Sequence, residues 1–189
     1  SVTTSYSGYF LSQQKYATEN LIKAAMTNCK SSTSPLHLKT STDSVVDLPL
    51  SLPSLNCSLV GALQYLTITR PDLALAVNHA CQFLQTPLTN HFALVKRILR
   101  YLKGTLHQGL QFTSGPLTLH AVSDSDWAGC SFDRRSTTRY CVFLGPNLIS
   151  WSAKKQPTVS RSSTEAEYRA LAQTTAELSW LGMLLSDLH

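Results

Sequence analysis

The succession of strand and helix patterns after residue 106 constrains the fold more than any other feature of the sequence. Alternating apolar and polar residues, or runs of aromatic and β-branched residues, predict strands at 110–112, 117–124, 137–144 and 148–153. Gly145, Pro146 and Asn147 predict the turn between the last two strands. Residues 162–188 then have the apolar spacing of one long helix. This order predicts an α+β fold in which antiparallel strands pack against the helix.

The first 105 residues are predicted to be mainly helical. A short strand precedes four helices, and the predicted bounds are 8–12 for the strand and 13–27, 58–68, 71–86 and 90–103 for the helices. Pro71 suits the first turn of the third helix, Pro87 breaks it, and Gly104 ends the fourth. Residues 28–58 are rich in Ser, Thr and Pro, which predicts a linker with little regular structure. The predicted domains are 1–57, 58–105 and 106–189.

Charge and cysteine usage narrow the function classes. The net charge is +5, and residues 96–169 alone carry +6, from eleven Lys/Arg and five Asp/Glu, so the basic excess lies in one stretch. The five cysteines are widely spaced, which argues against a zinc site or disulfide framework and favours an intracellular compartment, either the cytoplasm or nucleus or an organelle. No run of 18 apolar residues exists, so we expect no membrane span. Because the first residue is Ser1, we interpret the chain as a fragment or processed product.

A basic helix is the first candidate for binding nucleic acid. Lys96, Arg100 and Lys103 share one face, with Arg97 beside them, and apolar residues lie across from them. That face either contacts phosphates or is an ordinary solvated face, and the pattern alone slightly favours the second alternative. Further cations that suit a nucleic-acid backbone follow in the strand region: Arg134, Arg135, Lys154, Lys155 and Arg161.

Carboxylates at a strand end and a helix start form the candidate catalytic site. Asp124 ends a predicted strand, Asp126 lies two residues further, and Glu165 and Glu167 open the long helix. Hydrolysis of phosphodiesters by two Mg²⁺ ions needs several carboxylates around ions about 4 Å apart. One acid on the strand and one on the helix would supply half of such a site. Asp126 could instead initiate a turn, so it is a weaker candidate than Asp124.

Helix periodicity separates the two glutamates. Glu167 starts a largely apolar stripe that we predict to face the sheet: Glu167, Leu171, Thr174, Leu178 and Leu181. A buried carboxylate is costly unless metal or other partners satisfy it, which favours Glu167 as a site residue. Glu165 instead fits a capping box with Ser162 and an i,i+4 pair with Arg169, so a structural role explains it.

Five motifs between residues 58 and 171 resemble the Pol polyprotein of copia-type LTR retrotransposons, especially those of plants. They are SLVGALQYLTITRPDLALAVN, KRILRYLKGT, SDSDWAGC, RRSTT and ISWSAKKQPTVSRSSTEAEYRAL. The resemblance implies that residues 8–30 are similar to the end of the reverse-transcriptase palm and thumb. Residues 58–104 are similar to the thumb/connection. The part that begins at about residue 117 is similar to the start of ribonuclease H. The implied fold is a helical region followed by a truncated ribonuclease H-like mixed sheet, with three antiparallel strands and one long helix.

The resemblance also implies a chemistry. The family's first catalytic Asp corresponds to Asp124, and its catalytic Glu to Glu167, because Glu-x-x-Ala fits Glu167 and Ala170. The implied activity is a hydrolase reaction, the Mg²⁺-dependent cleavage of RNA in RNA–DNA hybrids, with Asp124, Asp126 and Glu167 as expected Mg²⁺ ligands. The family's third and fourth acids have no counterpart in this sequence. We therefore expect weak or absent Mg²⁺ binding and little or no activity of this chain alone.

Two departures from the family leave alternative functions open. Arg139 stands where the family commonly has Gly, and Asn56-Cys57 where Tyr-Arg is usual. These changes suggest either divergence or relaxed constraint. One alternative function is a non-catalytic, domesticated fragment that binds an RNA–DNA hybrid or other nucleic acid through the basic stretch 96–161. Another is a protein-interaction module that binds the rest of the Pol polyprotein or another protein, or associates with itself through an uncovered sheet, which sedimentation at high concentration would reveal.

Overall fold

The computed structural model describes residues 1–36, 47–130 and 132–188 and confirms the predicted α+β class. The helices are α1 (Gln14–Lys23), α2 (Pro53–Leu66), α3 (Ala74–Cys81), α4 (Thr89–Gly104) and α5 (Ser163–Asp187). The strands are β1 (Val2–Ser5), β2 (Gly8–Leu11), β3 (Leu110–Phe112), β4 (Leu119–Asp126), β5 (Thr137–Leu144) and β6 (Asn147–Lys155). The first three strands form one sheet in the order β1-β2-β3, and the last three form a second in the order β4-β5-β6. Strand β1 is not among the predicted elements.

The chain forms two compact units. Unit 1 comprises Ser1–Thr3 and Phe10–Leu110, and unit 2 comprises Thr4–Tyr9 and Gln111–His189. The division into three domains at residues 57 and 105 stays a prediction. In the part of the chain that the structure describes, no helix combines the length and the apolar character that crossing a bilayer requires.

Packing of α1 to α4 makes the core of unit 1. Its fully buried side chains include Leu59, Val60, Leu63 and Leu66 of α2, Val77 of α3, and Val95, Ile98, Leu99 and Leu102 of α4. The α2 and α4 sets recur at three- and four-residue spacing, which turns one apolar stripe of each of these helices inward.

Three helix boundaries in unit 1 differ from the predicted ones by four or more residues. Helix α1 ends at Lys23 and not at residue 27. Helix α2 starts at Pro53, inside the predicted linker, because proline is well accommodated in the first turn of a helix. Helix α3 ends at Cys81 and does not continue to Pro87, and a single 3-10 turn at Pro71–Leu73 precedes it. Residues 37–46 of the predicted linker lie outside the described residues.

A buried arginine joins the start of α3 to the end of α4. Arg70 is only 3% exposed, and its guanidinium pairs with Asp72 at 2.7 Å. Nη1 of Arg70 also donates to the carbonyl of Thr105 at 2.9 Å, and Nη2 donates to Thr105 Oγ1 at 2.6 Å. The charge is therefore held in a nearly complete set of acceptors, as a buried cation requires.

The second sheet positions the candidate site in unit 2. Its three strands are antiparallel, and β4 pairs with β5 so that Asp124 lies opposite Arg139 and Asp126 opposite Thr137. Between β5 and β6, Gly145 has a φ of +56°, and a Cβ there would lie 2.2 Å from the Pro116 carbonyl oxygen. Only glycine fits this predicted turn without strain.

Strand alternation determines which side chains face α5. Val142 of β5 is fully buried, and Ser150 of β6 donates to Glu177 of α5 at 2.7 Å. Because side chains alternate along a strand, Ser123 and Ser125 of β4 share this α5-facing side. Asp124 and Asp126 therefore lie on the opposite side of the sheet.

Candidate active site

The end of β4 brings Asp124 and Asp126 together with an arginine. Nη1 of Arg139 lies 3.6 Å from Asp124 Oδ2, and its Nη2 lies 3.8 Å from Asp126 Oδ2. The Asp124 side chain is 63% exposed, whereas that of Asp126 is 34% exposed and accepts a hydrogen bond from the backbone N–H of Thr137. The two aspartates thus share one guanidinium, and Asp126 also anchors the start of β5.

Glu167 reaches β4 from α5. Its Oε1 accepts a hydrogen bond from the backbone N–H of Ser125 at 3.3 Å. Beside it, an open pocket of about 580 Å³ is lined by Ser123, Ser163, Thr164, Glu167, Tyr168 and Leu171. The helix acid is therefore held next to the strand residue that separates Asp124 from Asp126.

The predicted sheet-facing stripe of α5 is wrong at its N-terminal end. The buried positions are Ala166, Ala170, Thr174 and Leu181, whereas Glu167 and Leu171 are exposed. Because Ala166 and Ala170 are small, the helix approaches the sheet closely. The stripe that contacts the sheet therefore begins at Ala166, one residue before the predicted Glu167. Glu167 thus lies at the rim of the helix–sheet contact and not within it.

The structure does not place the three candidate carboxylates around one point. Asp124 and Asp126 are on the side of the sheet that faces away from α5, whereas Glu167 binds the backbone of β4 on the helix side. Within residues 1–36, 47–130 and 132–188, no three His, Cys, Asp or Glu side chains are grouped so that they could hold a metal ion.

Glu165 caps the start of α5. Ser162 Oγ accepts from the backbone N–H of Glu165 at 3.1 Å, as the capping box predicts. The Glu165 carboxylate accepts from the N–H of Arg161 at 2.7 Å, one residue before the predicted Ser162 amide. It also pairs with Arg169 at 2.6 Å. The hydrogen bond from the Arg161 amide, followed by that from Arg169, lowers the pKa of Glu165 below its ordinary value.

A buried glutamine, which the sequence analysis did not single out, organises the α5-facing side of the site. Gln156 is 3% exposed. Its Nε2 lies within hydrogen-bond distance of Ser125 Oγ, Thr138 Oγ1 and the Ala166 carbonyl, at 3.3, 3.1 and 3.0 Å. Its Oε1 accepts from Ser160 Oγ at 2.7 Å. Gln156 therefore joins β4, β5 and α5, and a glutamine beside two lysines carries no sequence signal of such burial.

The loop between β4 and β5 forms a second charged cluster with Lys155 of β6. Nζ of Lys155 lies 3.2 Å from Asp133 and 3.1 Å from Cys130 Sγ, and Arg135 lies 3.6 Å from Asp133. The side-chain hydrogen bond from Cys130, with further contributions from the Arg135 amide and Lys155, lowers the pKa of Asp133 to about 2. Arg135 and Lys155, both candidates for binding nucleic acid, are therefore also partners of an aspartate.

The cations of α4 have structural partners as well. Arg100 Nε donates to the carbonyl of Lys30 at 2.9 Å, and Lys103 Nζ donates to that of Cys29 at 2.6 Å. The Lys96 ammonium lies 4.8 Å from the centre of the Phe92 ring. Two of the four candidate cations thus hold the segment that follows α1, and a phosphate-binding role for α4, Arg97 included, stays a prediction.

Four candidate cations of unit 2 are exposed: Arg134, Arg135, Lys154 and Arg161. Lys154 is paired in register with Thr138, and Arg161 directly precedes the N-cap residue Ser162. Arg161 therefore lies at the N-terminal end of α5, where Glu167 and the pocket lie, whereas Lys154 lies on β6, one strand beyond Thr138.

Comparison with known proteins identifies relatives along nearly the whole chain. An uncharacterized mitochondrial protein of Arabidopsis thaliana is 56% identical over 180 residues, which are 95% of this chain and 75% of that protein. The retrovirus-related Pol polyprotein from transposon RE1 of the same plant is 44% identical over 182 residues, which are 96% of this chain. The corresponding polyprotein from transposon TNT 1-94 of Nicotiana tabacum is 38% identical over 95% of this chain. No family model and no solved structure matches the chain.

These relatives confirm the family that the motifs indicate. The chain spans three quarters of the mitochondrial relative but only 12% of the RE1 polyprotein and 14% of the TNT 1-94 polyprotein. The matched region includes the strand-end and helix-start acids described above. The chain belongs to the family of copia-type retrotransposon Pol polyproteins.

Proposed function

We propose that unit 2 is the ribonuclease H-like part of a copia-type Pol polyprotein. In this role it binds RNA–DNA hybrids, and Asp124 and Glu167 correspond to two acids of a hydrolytic site that this chain does not complete by itself. The hydrogen bond from the Ser125 N–H to Glu167 carries the proposal, because it holds the helix acid beside the strand residue that follows Asp124. Three antiparallel strands and one long helix are the architecture that the resemblance implies for this part of the chain.

The described residues do not fit the two-Mg²⁺ site that the resemblance implies. Such a site needs several carboxylates that converge on two ions about 4 Å apart. Here Asp124 and Asp126 bind one arginine on one side of the sheet, whereas Glu167 lies toward α5. We therefore propose no hydrolytic step for this chain alone.

Hybrid binding is supported by the surroundings of the α5 N-terminus. Arg161 is exposed directly before the N-cap residue Ser162, Ser163 and Thr164 line the adjacent pocket, and Lys154 is exposed on β6 opposite Thr138. The first turn of a helix attracts phosphate through its free N–H groups and its dipole. Arg161, with Lys154 on the neighbouring sheet, adds the charge that backbone contacts to nucleic acid require.

A salt titration of hybrid binding tests this proposal. We expect affinity for a fluorescently labelled RNA–DNA hybrid, measured by anisotropy, to fall linearly on a log–log plot against salt. The double substitution Lys154→Ala with Arg161→Ala should reduce the slope by up to about 2, because each lost phosphate contact releases about one counterion fewer.

The control carries the same change in net charge elsewhere. Lys15 and Lys30 are both exposed and belong to unit 1, and replacing both with alanine should leave the slope near that of the wild type. Wild-type affinity that is insensitive to salt, or an equal loss of slope in the control, would contradict hybrid binding at the α5 N-terminus.

A further inference from the structure

We propose that Arg139 is a resident counter-cation of the Asp124/Asp126 pair, and that it keeps divalent metal ions from binding there. The inference deepens the proposed function, on which it rests, because it names the residue that makes the strand carboxylates of this chain unfit for Mg²⁺. It concerns the side of the sheet that faces away from α5.

The register of the sheet fixes the three side chains on one surface. Asp124 and Asp126 are two residues apart on β4, so they point to the same side and repel each other. Arg139 lies directly opposite Asp124 on β5 and diagonally opposite Asp126. A cross-strand pair of this kind depends only on the strand register, so the folded sheet presents the guanidinium to both carboxylates.

The distances indicate a shared cation and not a pair with either aspartate alone. The two separations from the guanidinium are 3.6 Å to Asp124 and 3.8 Å to Asp126. Both lie in the ion-pair range, but both exceed the roughly 2.7–2.9 Å of a direct charge-assisted hydrogen bond. A guanidinium placed midway lowers the repulsion between two carboxylates, as a metal ion between them would.

The charge of the Arg139 guanidinium and the space that it occupies both oppose the binding of a divalent ion. Mg²⁺ binds carboxylate oxygens at about 2.0–2.1 Å and keeps several waters, so it needs the region that the guanidinium fills. The arginine is charged at every accessible pH, so it also repels the metal throughout. One Asp126 oxygen is further engaged by the Thr137 N–H, which leaves fewer free lone pairs for a metal.

A titration with Mn²⁺ tests the proposal without any substrate. The full chain is 20.8 kDa, which suits amide NMR, and paramagnetic Mn²⁺ broadens the signals of nearby residues. We expect Arg139→Gln to lower the Mn²⁺ concentration that broadens the amides of residues 124–126 by about tenfold or more. A tenfold change in Mn²⁺ affinity corresponds to about 1.4 kcal/mol.

A neighbouring arginine supplies the matched control. Arg135 lies in the same loop-and-strand segment, 3.6 Å from Asp133, and its side chain is 44% exposed compared with 40% for Arg139. Arg135→Gln should leave the broadening at residues 124–126 unchanged. Should Arg139→Gln be unfolded, Arg139→Thr repeats the test with a β-branched residue that suits a strand.

Equal Mn²⁺ sensitivity of the wild type and the Arg139 variant would overturn the proposal, whether both bind or neither does. An equal gain in Arg135→Gln would overturn it too, because the effect would then be one of net charge. Hybrid binding through Lys154 and Arg161 is measured separately, so failure of the metal test leaves that result standing.

Discussion

Replacement of Arg70 with methionine should destabilise unit 1 by about 3–5 kcal/mol, the range observed when one partner of a buried ion pair is removed. The guanidinium is almost fully buried and binds Asp72 together with the carbonyl and hydroxyl of Thr105. Methionine keeps the stem but leaves these acceptors without their donor. The midpoint of denaturant unfolding by far-UV circular dichroism gives the change, and hydrogen exchange of the α4 amides locates it.

A second arginine of the same unit is the control for charge and size. Arg100 is partly exposed, and its Nε donates to the carbonyl of Lys30. Arg100→Met should therefore cost about 1 kcal/mol, the value of an ordinary hydrogen bond. Similar losses for Arg70→Met and Arg100→Met would show that the network around Arg70 does not hold α3 and α4 together.

Replacement of Gln156 with leucine should destabilise unit 2 by about 2–4 kcal/mol, because buried polar groups that lose their partners each cost about 1–3 kcal/mol and some hydroxyls reorient. The groups affected are Ser125, Thr138, Ser160 and the Ala166 carbonyl. Trp127, Trp151 and Trp180 all belong to unit 2, so tryptophan fluorescence during denaturant unfolding reports the change.

An exposed glutamine of the same unit makes the matched comparison. Gln173 of α5 is exposed, and its replacement with leucine should change stability by no more than about 0.5 kcal/mol. If both substitutions have the same small effect, Gln156 is not the residue that joins β4, β5 and α5.

The periodicity of apolar residues predicted the strands and the long helix of unit 2 well. Strands β3 and β5 have the predicted bounds, and α5 begins and ends within one residue of its prediction. Local signals are sufficient there because aromatic and β-branched runs end at a glycine turn. The start of α2 could not be predicted from such signals, because Pro53 follows a segment rich in Ser and Pro and resembles a linker residue.

The geometry of the candidate site could be predicted from the sequence only in part. The phase of α5 is ambiguous, because Thr174 and Leu181 belong both to the predicted stripe and to the observed one. Packing of Ala166 and Ala170 against the sheet decides between the two stripes, and it places Glu167 at the rim of the helix–sheet contact. Neither the sharing of Arg139 by two aspartates nor the burial of Gln156 follows from spacing, since both depend on the strand register.

Cleavage of an RNA–DNA hybrid shows whether this chain completes a hydrolytic site by itself. The wild-type chain, Asp124→Asn and Glu167→Gln are incubated with a labelled hybrid and Mg²⁺ or Mn²⁺, and the products are resolved on a denaturing gel. We expect all three chains to bind the hybrid, and the wild type to yield no more product than either variant. Efficient cleavage by the wild type that Asp124→Asn and Glu167→Gln abolish would contradict the proposal that this chain does not complete the site.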